Sequence, residues 1–271
     1  MMGGRAAVAW AYVGFLIALP AANLVYLALR LGPARLYAQL LQQEAFYALV
    51  LTMVTALIVV AVNTFFGVLI ALTLARQRFR GRTAMSVLTD VPLTVSPVVA
   101  GFVLLTLYQP SGWLGRPLES AGVQILNALP AIVLATMFVT LPLVTRELTP
   151  VLTQIGTEQE EAAITLGASR WQAFWRVTVP SIKHGLTRGV TLTFARSIGE
   201  FGAAVVVSGN LIGETQTMTL WVYQEATDFN YAGAYAGSLL LGLMSIGAFV
   251  IAEHARGRAM RRRRDLLTHI R

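Results

Sequence analysis

Cysteine is absent from the 271 residues, which excludes disulfides, thiolate metal sites and cysteine nucleophiles. Charge is sparse: Asp, Glu, Lys and Arg make up 13% of the chain, against about 25% in an ordinary soluble domain. Lysine is reduced to Lys183, with Ile182 before it. A G-x-x-x-x-G-K-[ST] loop, in which glycine-rich backbone cradles nucleotide phosphates, is therefore missing. His184, His254 and His269 are scattered without ligand spacing, which argues against a metal site. No Ser-His-Asp set, paired acids or activated nucleophile stands out, and there is no low-complexity linker or clear internal repeat. These absences point away from an enzyme and away from nucleotide hydrolysis by this chain.

What fills the chain is apolar. Hydrophobic residues reach 56%, gathered into runs near residues 7–29, 46–75, 84–108, 125–145, 185–207 and 231–252. A helix needs roughly 20 apolar residues to cross a hydrocarbon core about 30 Å thick. The pattern predicts an all-α polytopic membrane protein with about six transmembrane helices. The run at 46–75 exceeds one crossing, so its helix is expected to tilt or protrude. The first run follows Arg5 and contains Leu19-Pro20-Ala21-Ala22, which superficially matches a secretory signal with a small-residue cleavage site. It is longer than a normal signal core and further apolar runs follow it, so it reads as the first span.

Arginine sets the orientation, because basic residues in short loops stay on the cytoplasmic side. Arg5, then Arg76, Arg78, Arg80 and Arg82, then Arg146, Arg170, Arg176, Lys183 and Arg188, then Arg256, Arg258, Arg261–Arg264 and Arg271 occupy alternate connections. The opposite connections hold Arg30, Arg35 and Arg116, and Arg196 lies inside a run. Both termini are therefore expected in the cytoplasm. The net charge of +8 follows largely from this asymmetry, so nucleic acid is not an expected partner. The Arg261–Arg264 cluster reads as a stop signal and a contact for anionic membrane lipids.

Between the fourth and fifth runs lies a polar stretch, Glu161-Ala162-Ala163-Ile164-Thr165-Leu166-Gly167 and on to Pro180. Thr157-Glu158-Gln159-Glu160 has the capping-box pattern that starts a helix, and Gly167 is placed to close it in the left-handed conformation. Ser169-Arg170-Trp171-Gln172 supplies a second capping box, and Pro180 sits where continued helix is awkward. Two short helices joined by a glycine turn are predicted. Ala162 and Ala163 leave a flat surface, while Trp171, Phe174 and Trp175 offer apolar anchors at helical spacing. A partner's groove and the membrane interface, where Trp is also at home, both fit this pattern.

Glu161-Ala162-Ala163, three residues, Gly167, nine residues, then Val177-Thr178-Val179-Pro180 resembles the EAA cassette of permease subunits in binding-protein-dependent ABC importers. Val177 and Val179 stand where Ile and Leu are usual. The resemblance extends over most of the chain, through Phe79–Arg82, Asp90–Pro92, Val95–Gly101, Leu134–Thr140, Arg146–Leu148, Ala195–Ala203 and Val206–Asn210. These segments are similar to permeases for tetrahedral oxyanions, and most of all to the W-type subunit of sulfate/thiosulfate importers. Molybdate and tungstate permeases share the Arg196–Gly202 pattern.

That resemblance implies one MetI-like permease domain over 1–271, with a core at about 46–252, a coupling loop at about 148–183 and a basic cytoplasmic tail at 253–271. It implies a bacterial inner (plasma) membrane location and no cofactor in this chain, ATP and Mg being bound by two partner ATP-binding subunits. It also implies a second permease chain of the T type and an extracytoplasmic sulfate-binding protein. Glu161, Ala162, Ala163, Gly167, Trp171 and Pro180 would form the element that enters the ATPase.

Counted at 1.5 Å per residue from Lys183 or His184, Arg196 lies roughly 18 to 20 Å into the span, a depth where charge is costly and usually faces a protein interior or aqueous cavity. Glu200 follows at i+4, which on a continuous helix puts both on one face. The pair then either lines or gates a path, or neutralises itself within the bundle. Ala195, Gly199 and Ala203 permit close helix contact without any transport role. Asn63, Thr94 and Ser96 are further candidate liners, the last two beside Pro92 and Pro97, which can free backbone groups toward a cavity. Asp90 is placed to fasten its helix to a neighbouring chain. The polar stretch Ser208–Thr217, with Glu225 and Asp228, is a candidate contact for the binding protein or a solvated loop. A secondary transporter would be expected to carry paired relay acids, and here Glu200 is the acid deep within a run. A structural subunit without a path is the remaining alternative.

Overall fold

A computed structural model describes the backbone of residues 2–268 and the side chains of residues 4, 6–250 and 252. His254, His269 and the Arg261–Arg264 cluster therefore lie outside the residues whose side chains are described. The described chain is helical throughout, without strands.

Helix α1 (Met2–Val13) passes through a π-turn at Gly14–Ala18 into α2 (Leu19–Leu31), giving one apolar helix from Ala6 to Leu31. The π-turn sits immediately before Pro20. Its wide turn, closed by Leu19 N donating to Gly14 O, relieves the clash that proline imposes on an ordinary helix. After α3 (Pro33–Leu40) comes α4 (Gln43–Arg76), the long helix expected from the 46–75 run. Then follow α5 (Arg82–Thr94), α6 (Pro97–Tyr108), α7 (Gly115–Ser120) and α8 (Leu129–Ile155). The remainder is α9 (Glu158–Thr165), α10 (Arg170–Ala173), a second π-turn (Phe174–Thr178), α11 (Val179–Ile198), α12 (Ala204–Val207), α13 (Met218–Thr227) and α14 (Tyr231–Thr268).

Among the described residues, four helices are long and apolar enough to cross a membrane: Ala6–Leu31, α4, α8 and Tyr231–Val250 within α14; the bent pair α5–α6 makes a fifth if taken as one span. Two of the six apolar runs are thus not straight helices. The 84–108 run bends by 109° between α5 and α6. Val95 and Ser96 are extended there, with ψ of 134° at both, because Pro97 disfavours helical backbone in the residue before it. The 185–207 run stops at Ile198, turns through 199–203 and resumes only as the short α12. Its N-terminal half also begins earlier than expected, at Val179.

The centre of the bundle is α4, α8 and α11. In lipid, helices gain little by hiding apolar surface from water, so close approach of small residues and interhelical hydrogen bonds hold them together. Gly67 on α4 shows this: an added Cβ would stand 2.7 Å from the Val144 Cβ on α8. Ala71, Val144, Leu148, Leu152 and Ile182 form the cluster common to the three helices. Ala131, Ala135 and Val139 of α8 pack with Ala203 and Val207. Ala45 and Ala48 of α4 pack with Met218 and Trp221 of α13. The break after Ile198 is therefore anchored into the bundle.

Candidate functional site

At one end of the bundle the segment between α8 and α11 leaves at Gly156, whose φ of 68° directs the chain out of α8. The first expected capping box does not form. Thr157 has φ −111° and ψ −7° and makes no side-chain cap; its hydroxyl instead donates to Glu161 Oε1 at 2.7 Å. Glu160 is taken by a tertiary partner. Arg76, the last residue of α4, donates from Nη1 to Glu160 Oε2 at 2.6 Å and from Nη2 to Oε1, while the Thr178 hydroxyl donates to the same Oε1. The ion pair is largely enclosed, with side chains 20% and 18% exposed. A charge-assisted fork of this kind is stronger than a cap bond to a single amide.

The rest of the segment follows local rules. Gly167, at φ 95°, closes α9 through Ala168 N to Ala163 O at 3.0 Å and Gly167 N to Ile164 O at 2.9 Å, the paired bonds of a Schellman stop. The Ser169 box forms in both directions, Gln172 N to Ser169 Oγ at 3.2 Å and Ser169 N to Gln172 Oε1 at 2.9 Å. Pro180 does not end the helix. The π-turn at Phe174–Thr178, closed by Val179 N to Phe174 O, admits it, so Arg170 to Ile198 is one helical rod rather than a short helix followed by a separate span.

This segment presents an apolar face. Leu166 is 89% exposed, Trp171 69% and Trp175 51%, with Ile164 beside them. Trp171, Phe174 and Trp175 brace one another, their ring centroids 5.4 to 6.2 Å apart. Glu161 and Ala162 are exposed and Ala163 half-buried. An exposed patch of large apolar groups rimmed by charge marks an interaction surface.

Within the bundle the two breaks meet. A Cβ on Gly202 would stand 3.0 Å from the Pro97 Cβ, and one on Gly101 2.8 Å from the Ala203 carbonyl oxygen. Arg196 sits in the last turn of α11, where the helix dipole favours a cation, and its Nη1 lies 2.7 Å from Glu200 Oε2. The N–H axis is off line, so this is an ion pair rather than an aligned hydrogen bond. The pair forms, but not on one helix face, because Glu200 lies beyond the helix end. Its other oxygen accepts from Ala203 N at 2.9 Å and its carbonyl accepts from the Thr219 hydroxyl at 2.8 Å. Glu200 thereby pins the turn. Its side chain is 1% exposed against 39% for Arg196, so the cation faces outward. Glu200, Thr52, Thr55, Thr136, Ser197 and Thr217, together with Ile132 and Ile198, line a void of about 10 Å³, the size of a single water.

The other candidate liners separate. Ser96 is exposed and adjoins the Pro97–Gly202 contact. Thr94 is exposed, and its hydroxyl returns to Val91 O at 2.8 Å. Asn63 is 1% exposed and donates to Met137 O at 2.9 Å and Thr140 Oγ1 at 2.8 Å, so within this chain it ties α4 to α8 rather than lining a surface. Asp90 pairs with Arg146 at 2.8 Å, a partner in its own chain instead of a neighbour. That pair borders a cavity of about 530 Å³ lined also by Ser86, Thr89, Thr145 and Thr149.

The opposite end is knotted rather than solvated. Thr215, Gln216 and Thr217 are buried; Thr215 donates to Ser208 O at 2.6 Å, and Gln216 and Asn210 both donate to Gln224 Oε1. Leu211 to Glu214 remain exposed at its tip. Burial raises the Glu225 carboxyl above the ordinary carboxylate range; the Asn230 side-chain hydrogen bond opposes this, and Glu44 and Asp228 add to it.

Sequence reading missed Arg76 and Thr178, and gave Glu160 only a capping role. The available signal was the opposite charge of Arg76 and Glu160 on connections assigned to one side. Nothing local distinguishes Arg76 from Arg78, Arg80 or Arg82.

Apolar helices broken at two packed turns, with an exposed apolar helical face at one end, define a polytopic membrane protein. The chain belongs to the family described as binding-protein-dependent transport system inner membrane component, which matches residues 63–261. It is 43% identical over 253 residues to the sulfate transport system permease protein CysW of Synechococcus elongatus, covering 93% of this chain and 88% of that one. With CysW of Escherichia coli K12 it shares 44% over 232 residues, covering 86% and 80%. With the CysT permease of the same organism it shares 34% over 225 residues, covering 83% and 81%. A crystal structure of a bacterial ABC transporter involved in import of the acidic polysaccharide alginate has the same fold, with TM-score 0.77, 15% identity and 95% coverage of both chains.

Proposed function

We propose that this chain is the W-type permease subunit of an ATP-driven importer for sulfate/thiosulfate. It would sit in a bacterial inner membrane with both termini cytoplasmic, paired with a T-type permease and two ATP-binding subunits that hold ATP and Mg. An extracytoplasmic sulfate-binding protein would deliver the oxyanion. A structure of the alginate system bound to its periplasmic protein, TM-score 0.78 to this chain, is in keeping with such a delivery step. The exposed face of Ile164, Leu166, Trp171 and Trp175, carried on a capped helical segment, supports docking onto a separate motor. Glu161, Ala162, Ala163 and Gly167 belong to that segment.

The observation that carries the cargo reading is the Arg196–Glu200 pair. A dianion needs donors along its route, yet a dense ring of cations would hold it too tightly for release. One outward-facing guanidinium, partly neutralised by a buried carboxylate, suits brief contact. The fixed turn of 199–203 against Pro97 places irregular backbone inside a bundle, which membrane proteins tolerate where it lines a cavity or is buried in protein. Uptake of radiolabelled sulfate by the four-subunit complex in vesicles, with thiosulfate, molybdate and tungstate as competitors, tests this. Saturable sulfate uptake displaced by thiosulfate supports the reading. Displacement by molybdate or tungstate alone would assign the other oxyanions, and transport by this chain without the ATPase would overturn the importer reading.

A further inference from the structure

We propose that Glu160 is a positioning residue that hands movement of the docking segment to α4 and α11, in addition to its covalent link to α8. This rests on the reading of 156–178 as the motor-coupling segment. Glu160 lies in the first turn of the eight-residue α9. Its carboxylate binds both terminal nitrogens of Arg76, 84 residues away, and the Thr178 hydroxyl, 18 residues away. Three elements are thus joined at one side chain: the end of α4, the start of α9 and the π-turn leading into α11.

Each charge already sits at the helix end that favours it, Arg76 in the last turn of α4 and Glu160 in the first turn of α9. Thr178 is 1% exposed and belongs to the π-turn. π-turns cluster at functional positions, and this one permits Pro180 within a continuous rod while Thr178 reaches Glu160.

The covalent link to α8 is of a different kind. It runs through the backbone at Gly156, at φ +68°, with Gly156 N donating to Leu152 O at 3.2 Å. A push on Leu166 and Trp171 is therefore carried to α4 and α11 through the Glu160 side chain as well as to α8 through the backbone. The α11 helix is 20 residues long, about 30 Å at 1.5 Å per residue, and ends at Ile198, between Arg196 in its last turn and Glu200 beyond it. Displacing its near end displaces the turn at its far end.

The test uses the complete complex in vesicles and reads sulfate moved per ATP hydrolysed. Arg76→Gln and Glu160→Gln should each lower that ratio about tenfold, the effect of losing one charge-assisted contact from the working state. The charge-reversed double variant, Arg76→Glu with Glu160→Arg, should recover most of it. Thr178→Val, which removes one hydroxyl, should lower it less, and it serves if the charge variants fail to assemble. A fall in transport and ATP hydrolysis in equal proportion, with the ratio unchanged, means that the contact only maintains structure and overturns the inference. If the wild-type complex hydrolyses ATP without moving sulfate, or the ATPase does not copurify, the importer reading itself fails and this inference with it.

Discussion

Arg196 and Glu200 form an ion pair at 2.7 Å across the end of a helix, not along one face of it. The helix finishes at Ile198, and the Glu200 carboxylate bridges the guanidinium to the Ala203 amide at the start of the next turn. One residue thus serves two needs: its buried carboxylate partly neutralises the more exposed Arg196 cation and holds a broken backbone in shape.

Removing Arg196 leaves that buried carboxylate without its cation. Breaking a buried pair costs about 3–5 kcal/mol, and the partial exposure of Arg196 reduces this to roughly 2 kcal/mol. Arg196→Ala should therefore lower thermal stability and uptake together. Arg196→Lys should retain stability and lose uptake, because the planar fork is lost. Glu200→Gln should keep the fold better than Arg196→Ala. Normal uptake in all three variants would leave the pair only a packing role.

Gly167 closes α9 at a φ of 95°. An alanine there costs about 1–2 kcal/mol from the left-handed backbone, and proline is incompatible with the angle. Gly167→Ala should weaken coupling, and Gly167→Pro should abolish uptake while the chain still inserts. Undiminished uptake by Gly167→Pro would contradict the docking role of this segment.

Large exposed apolar groups at the centre of an interface each contribute about 2 kcal/mol or more. Trp171→Ala should lower the affinity for the ATPase subunit by roughly thirtyfold on that scale. Titration of the purified subunit onto the reconstituted permease reads this directly. Unchanged affinity would place Trp171 at the lipid interface instead.

The elbow leaves no room at Gly101, where a Cβ would come within 2.8 Å of the Ala203 carbonyl oxygen. That contact is with backbone and cannot be relieved by a rotamer change. Gly101→Val should cost about 1–3 kcal/mol through overpacking and separate α6 from the 199–203 turn. The expected outcome is lower melting temperature with uptake reduced more than expression.

Burial raises the Glu225 carboxyl. The folded chain therefore holds this proton more tightly than the unfolded chain, and the contribution is present below the ordinary carboxylate value and lost as pH rises to the raised one. Acidification through that window should stabilise the α13–α14 end, and Glu225→Gln should flatten the dependence. Melting temperature against pH, in both forms, measures it.

Features set by neighbouring residues were legible. Gly167 and the Ser169–Gln172 box act within a few positions, and the apolar runs of α4, α8 and α14 exceed a membrane's thickness whatever surrounds them. The Thr157 box failed for the complementary reason: Glu160 had the local pattern, but Arg76 and Thr178 offered it a stronger bond. Pro180 failed similarly, because a π-turn accommodated a residue that an ordinary helix does not.

A helical membrane chain with a polar helical insertion and no nucleotide loop of its own can be read directly from the order of residues. Those properties are sums over local composition and need no knowledge of neighbours. The breaks in the third and fifth runs, their packing together at Pro97 and Gly202, and the joining of α4 to α11 by Glu160 emerge from the folded chain alone. Each of those depends on residues far apart in the chain occupying the same few ångströms, where desolvation strengthens a charge pair and close packing selects glycine.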